Sequence, residues 1–147
     1  MTSKFRRADP NYKVDSEFEM GTQVKLVGML PHMHLRGKDF EYRVVYPTGE
    51  TETILSVPRY SFSWQLSYYP VKPIVLTKGT KIECTAHYDN SPNNPSNPDA
   101  TKEVTWGDQS WDEMIFAWVG VVVPPDVDLD KAMAVRRGNA ANSSTVR

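Results

Sequence analysis

Turn-forming residues interrupt this sequence so often that a long amphipathic helix finds no room before residue 128. The chain has 11 prolines and 8 glycines among 147 residues. Between them lie short segments in which apolar and polar residues alternate, the period of a half-buried strand. The sequence therefore predicts an all-β fold, an antiparallel β-sandwich of jelly-roll-like type with about eight strands and with disordered or extended tails.

The pattern divides the chain into a lead-in or linker over residues 1–20, a sandwich domain over 21–124 and a tail over 125–147. Val24, Leu26, Gly28 and Leu30 share one parity and predict a strand. Further strands are predicted in the segments FEYRVV, TETILSV, YSFSWQLSYY, PIVL, KIECTAHY and, in short form, EVTW. The segment DNSPNNPSNPDA predicts a long loop, and DLDKAMAV a turn of helix. EMIFAWVGVVV is apolar on both parities, which predicts a central strand covered on both faces.

Composition argues against several classes of function. The formal net charge is −1 and charges of both signs are interspersed, so we expect no nucleic-acid or membrane partner. No stretch reaches the ~20 apolar residues of a membrane span, and the N-terminus lacks the pattern of a secretory signal. Cys84 is the only cysteine, which excludes an intrachain disulfide and a cysteine-rich zinc site and predicts a small buried side chain.

Two of the three histidines lie one residue apart, in the segment MLPHMHLRGKDF. Alternate residues of a strand point to the same face, so the imidazoles of His32 and His34 share a side, with Cα atoms roughly 6.5 to 7 Å apart. That spacing lets both bind one metal ion. A pair of histidines that merely packs or binds water is the alternative.

A mononuclear metal site needs a third ligand. His87 is the candidate by residue type, although its parity places it at an outward or edge position where a hydrogen-bonding role is the alternative. Met114 opens an apolar strand, where methionine usually belongs to the core. If a thioether did join two imidazoles, the metal would be copper, because zinc and magnesium rarely accept this soft ligand.

Four segments together resemble a known family: PHMHLRGK, YYPV, KGTKIECTAHYDNS and WDEMIFAWVG. They are similar to the C-terminal domain of the copper type II, ascorbate-dependent monooxygenases, the family of peptidylglycine α-hydroxylating monooxygenase and dopamine β-monooxygenase, and to its bacterial relatives. The resemblance runs from about Gly21 to Val123. It implies a jelly-roll sandwich that holds one copper ion through His32, His34 and Met114.

The resemblance also implies a function. In the family this copper binds dioxygen and the substrate, a C–H bond of a small organic molecule is hydroxylated, and ascorbate is the reductant. The second copper belongs to an N-terminal sandwich domain with three further histidines, which this chain does not have. We therefore expect the chain to bind copper as a severed half and not to complete the two-copper cycle alone. A periplasmic or secreted location is also implied.

One departure from the family concerns the substrate. The peptide-specific member has an arginine two residues before the first ligand histidine and polar residues two and four positions after the methionine. Here these positions hold Leu30, Phe116 and Trp118. An anionic peptide terminus would find no bidentate partner among them, so an apolar or aromatic substrate is favoured over a peptide carboxylate.

Other side chains complete the hypothesis. Asp112 and Glu113 precede Met114 and are candidates to hydrogen-bond a ligand histidine. Tyr68 and Tyr69 either line the pocket or pack. Arg36 and Lys38 are interpreted as exposed charges at a strand end. Two further functions stay open: a non-catalytic copper-binding module, and an adhesion or interaction sandwich without metal.

Overall fold

The computed structural model describes residues 7–134. Two antiparallel sheets make up the described chain, as the alternating sequence pattern predicts. The eight strands are β1 (Tyr12–Met20), β2 (Val24–Met33), β3 (Gly37–Val45), β4 (Thr51–Val57), β5 (Ile74–Leu76), β6 (Lys81–Tyr88), β7 (Ile115–Val122) and β8 (Met133–Ala134), with one short helix, α1 (Leu129–Ala132). The antiparallel β-sandwich expected from the sequence is confirmed.

The larger sheet has five strands in the order β4-β3-β6-β1-β8, and the smaller has three in the order β5-β2-β7. Each sheet turns one face inward, where alternate residues are buried because every second side chain of a strand points the same way. In β6 the buried positions are Ile82, Cys84, Ala86 and Tyr88. Cys84 is fully buried, as its apolar surroundings predict.

Turn chemistry places two of the connections. The hairpin between β3 and β4 closes around Gly49, whose φ of +91° is one that only glycine adopts without strain. Gly79, with φ +83°, makes the corresponding turn between β5 and β6. These two strands do not pair with each other: β5 pairs with β2 in the small sheet, and β6 pairs with β3 and β1 in the large one.

The segment predicted as a lead-in is largely a strand. β1 pairs with β6 from Tyr12 to Glu19 and lies inside the five-stranded sheet. Part of the predicted tail returns to it, since α1 fits the predicted helical turn and β8 pairs with Glu19 and Met20. The rest of that tail, from residue 135, lies outside the described residues.

Three strand predictions are wrong. The parity expected for β2 holds only to Leu26, because a bulge between Leu26 and Gly28 shifts the register. After the bulge Gly28, Met29, Pro31 and Met33 are buried, whereas Leu30 and His32 are partly exposed. Residues 60–70 form no strand apart from one bridge between Tyr68 and Met29. EVTW likewise contributes only an isolated bridge.

β7 was predicted to be a central strand covered on both faces, but it is an edge strand of the small sheet. Its burial alternates, and Phe116, Trp118 and Val122 are 42%, 51% and 53% exposed. β2 occupies the centre of that sheet instead. Among residues 7–134, no helix has the length and apolar character needed to cross a bilayer.

Candidate functional site

The two neighbouring histidines come together at the end of β2. His32 is the last residue but one of β2, and His34 is the first residue after the strand ends at Met33. Their ring centroids lie 5.3 Å apart and the ring planes are nearly perpendicular, at 88°. The prediction that both imidazoles occupy one side of the chain agrees with this geometry.

The tautomer of His32 is set by a neighbour. Its Nδ1 lies 2.7 Å from Oε1 of Gln65, and the Gln65 amide nitrogen donates to the Phe62 carbonyl at 2.8 Å. A carbonyl oxygen only accepts, so in the neutral ring Nδ1 carries the proton and Nε2 carries the lone pair. The ring also packs beside Phe116 with a centroid distance of 6.3 Å. This is the arrangement in which an outer residue orients a metal-binding imidazole.

The imidazole of His34 is only 5% exposed, and its Nδ1 is buried without a hydrogen-bond partner. An orphaned buried nitrogen of this kind is uncommon, because desolvation without a partner is unfavourable. Burial, with a smaller effect of His32, lowers the pKa of His34 against the opposing influence of the Asp112 and Gln109 main chain. A neutral imidazole is the form that binds a metal ion.

Met114 immediately precedes β7, the strand that pairs with the end of β2. His32 is opposite Phe116 and Met33 is opposite Ile115, so one further step of the register brings Met114 level with His34. Alternate residues share a face, which groups Met114 with Phe116, the neighbour of His32. The main chain of Met114 is held as well, because the Tyr88 hydroxyl donates to its carbonyl at 2.9 Å.

These donors fit a soft metal ion better than a hard one. Within residues 7–134, no three side chains from the histidine, cysteine, aspartate and glutamate types gather into a metal-binding group. The sequence-predicted third ligand, Met114, is of a type outside these four. A thioether together with two neutral imidazoles is a donor set suited to copper, above all Cu(I).

Behind the histidine pair lies a buried ion pair that the sequence did not predict. Arg36 is 2% exposed, so its interpretation as an exposed strand-end charge is wrong. Its Nη1 lies 3.7 Å from Oε1 of Glu113, which is fully buried. Burial raises the pKa of Glu113 to about 7, against the opposing effect of Arg36. Lys38 does lie at the surface, where it bonds Asn11 at 2.7 Å.

Glu113 hydrogen-bonds the His34 backbone N–H, at 3.3 Å, and not the imidazole that the sequence suggested. Asp112 lies close enough to raise the pKa of His34. Its carboxylate also packs against Gly107, so closely that a Cβ added at Gly107 would clash with the Asp112 carboxylate. Both acids thus neighbour the histidine segment, although neither carboxylate is bonded to a histidine ring.

An apolar surface extends from His32 along the outer face of the small sheet. Trp118 packs beside Phe116 at 5.6 Å between centroids, and Leu30 is the cross-strand partner of Trp118. Tyr69 is 75% exposed and its ring lies over Gly28, where a Cβ would stand 3.4 Å from it. The predicted pocket residues Leu30, Phe116, Trp118 and Tyr69 therefore share one face with His32.

His87 lies elsewhere. It belongs to β6 of the large sheet, where its Nδ1 is 2.6 Å from a carboxylate oxygen of its cross-strand partner Asp39. This agrees with the hydrogen-bonding alternative, and the structure does not bring His87 to the other two histidines.

Sequence reasoning missed Gln65 and Tyr60. Both belong to the irregular segment between β4 and β5, which the alternating aromatic pattern presented as a strand. Tyr60 uses one hydroxyl to accept from the Met33 N–H, at 3.0 Å, and to donate to the Met33 carbonyl, at 2.6 Å. Their roles depend on a loop conformation that no local sequence signal indicates.

Fold and geometry define an antiparallel β-sandwich with a pair of histidines at a strand end. Comparison with known proteins adds no family: no protein-family model matches the chain, and no curated protein matches it either.

Proposed function

We propose that this chain is the oxygen- and substrate-binding half of a two-copper, ascorbate-dependent monooxygenase that hydroxylates a C–H bond. The observation that carries the proposal is the pair of neighbouring imidazoles, one hydrogen-bonded to Gln65 and the other buried with its Nδ1 lacking a hydrogen-bond partner. His32, His34 and Met114 would hold the metal ion. Copper, when bound, supplies the one-electron and dioxygen chemistry that side chains lack.

The residues around the proposed ligands do different work. Gln65 keeps the His32 proton on Nδ1, which would leave the Nε2 lone pair to bind the metal ion. Burial lowers the pKa of His34 and so favours the neutral ring, the form whose lone pair can bind a metal ion. His32 lies in β2, while His34 directly follows β2 and Met114 directly precedes the paired strand β7. The proposed site would thus lie at the end of a hydrogen-bonded strand pair, a rigid support of the kind that a functional site requires.

The substrate side of the proposal rests on the apolar face. Phe116 and Trp118 lie in a row from His32, and Leu30 completes the surface. Such an exposed apolar face favours contact with an apolar or aromatic molecule, whereas none of these three side chains offers a cation to a carboxylate. A small uncharged organic substrate is therefore proposed.

Hydroxylation with dioxygen consumes two electrons from the reductant for each substrate molecule. A single copper ion, which alternates between Cu(I) and Cu(II), supplies only one electron. The proposal therefore includes a partner, the N-terminal copper domain of the family, with ascorbate as the reductant. The third histidine, His87, is bonded to Asp39 on the other sheet and does not offer a second site with the pair.

Cu(I) binding tests the metal site. The protein is loaded with one equivalent of Cu(I) and studied by competition with a chromophoric Cu(I) chelator and by X-ray absorption at the copper edge. We expect tight 1:1 binding, two histidine nitrogen ligands and a sulfur scatterer that Met114→Ala removes. His34→Ala should weaken binding strongly, and His87→Ala, which changes the isolated histidine, should leave it unchanged. Absence of stoichiometric binding, or of the sulfur scatterer, contradicts the proposal.

Turnover separates the enzyme from the alternative of a copper-binding module without catalysis. Oxygen uptake driven by ascorbate should require a copper-loaded N-terminal domain in the same assay and should disappear in Met114→Ala. Tight copper binding without any uptake in the presence of that domain would favour the non-catalytic module.

A further inference from the structure

A single carboxylate joins the two segments that carry the proposed copper ligands. Glu113 accepts hydrogen bonds from the backbone N–H of Arg36, at 2.8 Å, and of His34, at 3.3 Å. It is also the residue directly before Met114. One buried side chain therefore connects the His34 segment to the Met114 segment across 79 positions of the sequence.

Arg36 holds this carboxylate from the other side. Its Nη1 donates to the Trp111 carbonyl at 2.7 Å, and its Nε donates to Oδ1 of Asn90 at 2.9 Å. The guanidinium is thus tied to the loop before Met114 and to the start of the asparagine-rich loop. These fixed bonds leave the Arg36 charge little freedom to leave Glu113.

The main chain around Glu113 is also fixed. Its N–H donates to the Thr105 carbonyl at 3.0 Å, and the next carbonyl, that of Met114, accepts from Tyr88. Because Glu113 is held at both backbone and side chain, its bonds to the histidine segment add to the β2–β7 pairing in fixing the position of His34 relative to Met114.

We propose that Glu113, with Arg36 as its counter-charge, is the positioning residue that brings the methionine sulfur and the two imidazoles to one copper ion. This inference rests on the function proposed above. A buried ion pair contributes little net stability compared with apolar residues of similar size. Its value here is geometric, because two directed hydrogen bonds align one segment against the other.

Glu113→Gln tests the positioning role, since it keeps the shape but replaces a carboxylate that accepts two N–H bonds. Loss of residues that orient metal ligands weakens metal binding by roughly 10- to 100-fold. We expect Cu(I) affinity to fall by that factor and the copper–sulfur scatterer to weaken or vanish, while the histidine nitrogens remain. A merely structural role would not remove sulfur selectively.

Val44→Ala is the matched control, because it makes a cavity at a fully buried position of β3 whose strand partners are Glu52 and Ile82, outside both segments. It should lower stability and keep both the copper–sulfur scatterer and the affinity. Loss of sulfur in this control would mean that any destabilisation displaces Met114, and the inference would fail.

Failure of the proposed function and failure of the positioning role give different results. Wild-type protein without a copper–sulfur scatterer overturns the proposed function itself. A wild-type scatterer that persists unchanged in Glu113→Gln overturns only the positioning role. Should Glu113→Gln not fold, Arg36→Lys takes its place: it keeps the charge but cannot bond Asn90 and Trp111 together, so sulfur should again be lost, and its retention at wild-type affinity overturns the inference.

Discussion

Two basic residues close together in the sequence differ in burial, because contacts with residues distant in the sequence decide which side chain is enclosed. Arg36 is enclosed by Asn90, Trp111 and Glu113, whereas Lys38, two residues later, lies in solvent. The geometry of the guanidinium explains the choice. Its planar set of donors can satisfy several fixed acceptors at once, which a lysine ammonium on a flexible stem does less well.

Cys84 should be inert in the folded protein. Burial raises the pKa of its thiol to about 12, and the thiolate is the reactive species, so at pH 8 only about one thiol in 10⁴ is ionised. We expect a disulfide reagent to label none of the native protein over minutes and one thiol per chain in denaturant. Cys84→Ser provides the blank, and rapid labelling under native conditions would contradict the buried placement.

Tyr60→Phe removes a hydroxyl that pairs both backbone groups of Met33. Because these groups would be left without a partner beside the histidine pair, we expect a loss of about 1–3 kcal/mol in the free energy of unfolding. Urea denaturation measures it. Tyr46→Phe, which loses only a surface bond to Glu52, should cost much less, and equal losses would argue against the double role of Tyr60.

The position of β2 and β7 in the small sheet, more than the apolar content of their sequences, decides which of their side chains are exposed. β7 is the more apolar sequence, yet it lies at the edge and exposes Phe116 and Trp118. β2 carries a histidine and a proline, yet it lies in the centre of its sheet. The Leu26–Gly28 bulge changes which of its residues face inward, and so places His32 on the outer face beside the aromatic row.

The start of β3 is packed too closely to accept a side chain. A Cβ at Gly37 would lie 2.7 Å from the Tyr60 ring and 2.8 Å from Cβ of Met33. Gly37→Ala should therefore lower stability by about 1–3 kcal/mol, the usual range for an overpacked site. Gly28→Ala is the control, since its nearest contact of 3.4 Å is an ordinary one. Equal thermal denaturation midpoints for the two variants would contradict this packing.

The whole sandwich depends on its first described strand. β1 covers one side of β6 and also receives β8, so both sheet neighbours lose their hydrogen bonds without it. A chain beginning at Gly21 should fail to unfold cooperatively and should aggregate through the freed edge of β6. Far-UV circular dichroism and urea titration against the full chain measure this. A sharp transition at the original midpoint would show that β1 is dispensable.

Local patterns were sufficient for the fold class and for most of the strands, because the alternation of apolar and polar residues is a property of adjacent residues. They also contained a signal for β1, since apolar residues recur at Tyr12, Val14, Phe18 and Met20. The shared side of His32 and His34 followed from the same two-residue period. Each of these features depends on neighbours in the chain.

Only the folded chain decided the rest. The edge position of β7, the burial of Arg36 and the link from Glu113 to His34 depend on which strands pair and in what register. Gln65 reaches His32 through a loop whose conformation is determined by its packing. These contacts join residues 33 to 79 positions apart, and their free energies are fixed by the packing of both partners, which no local pattern encodes.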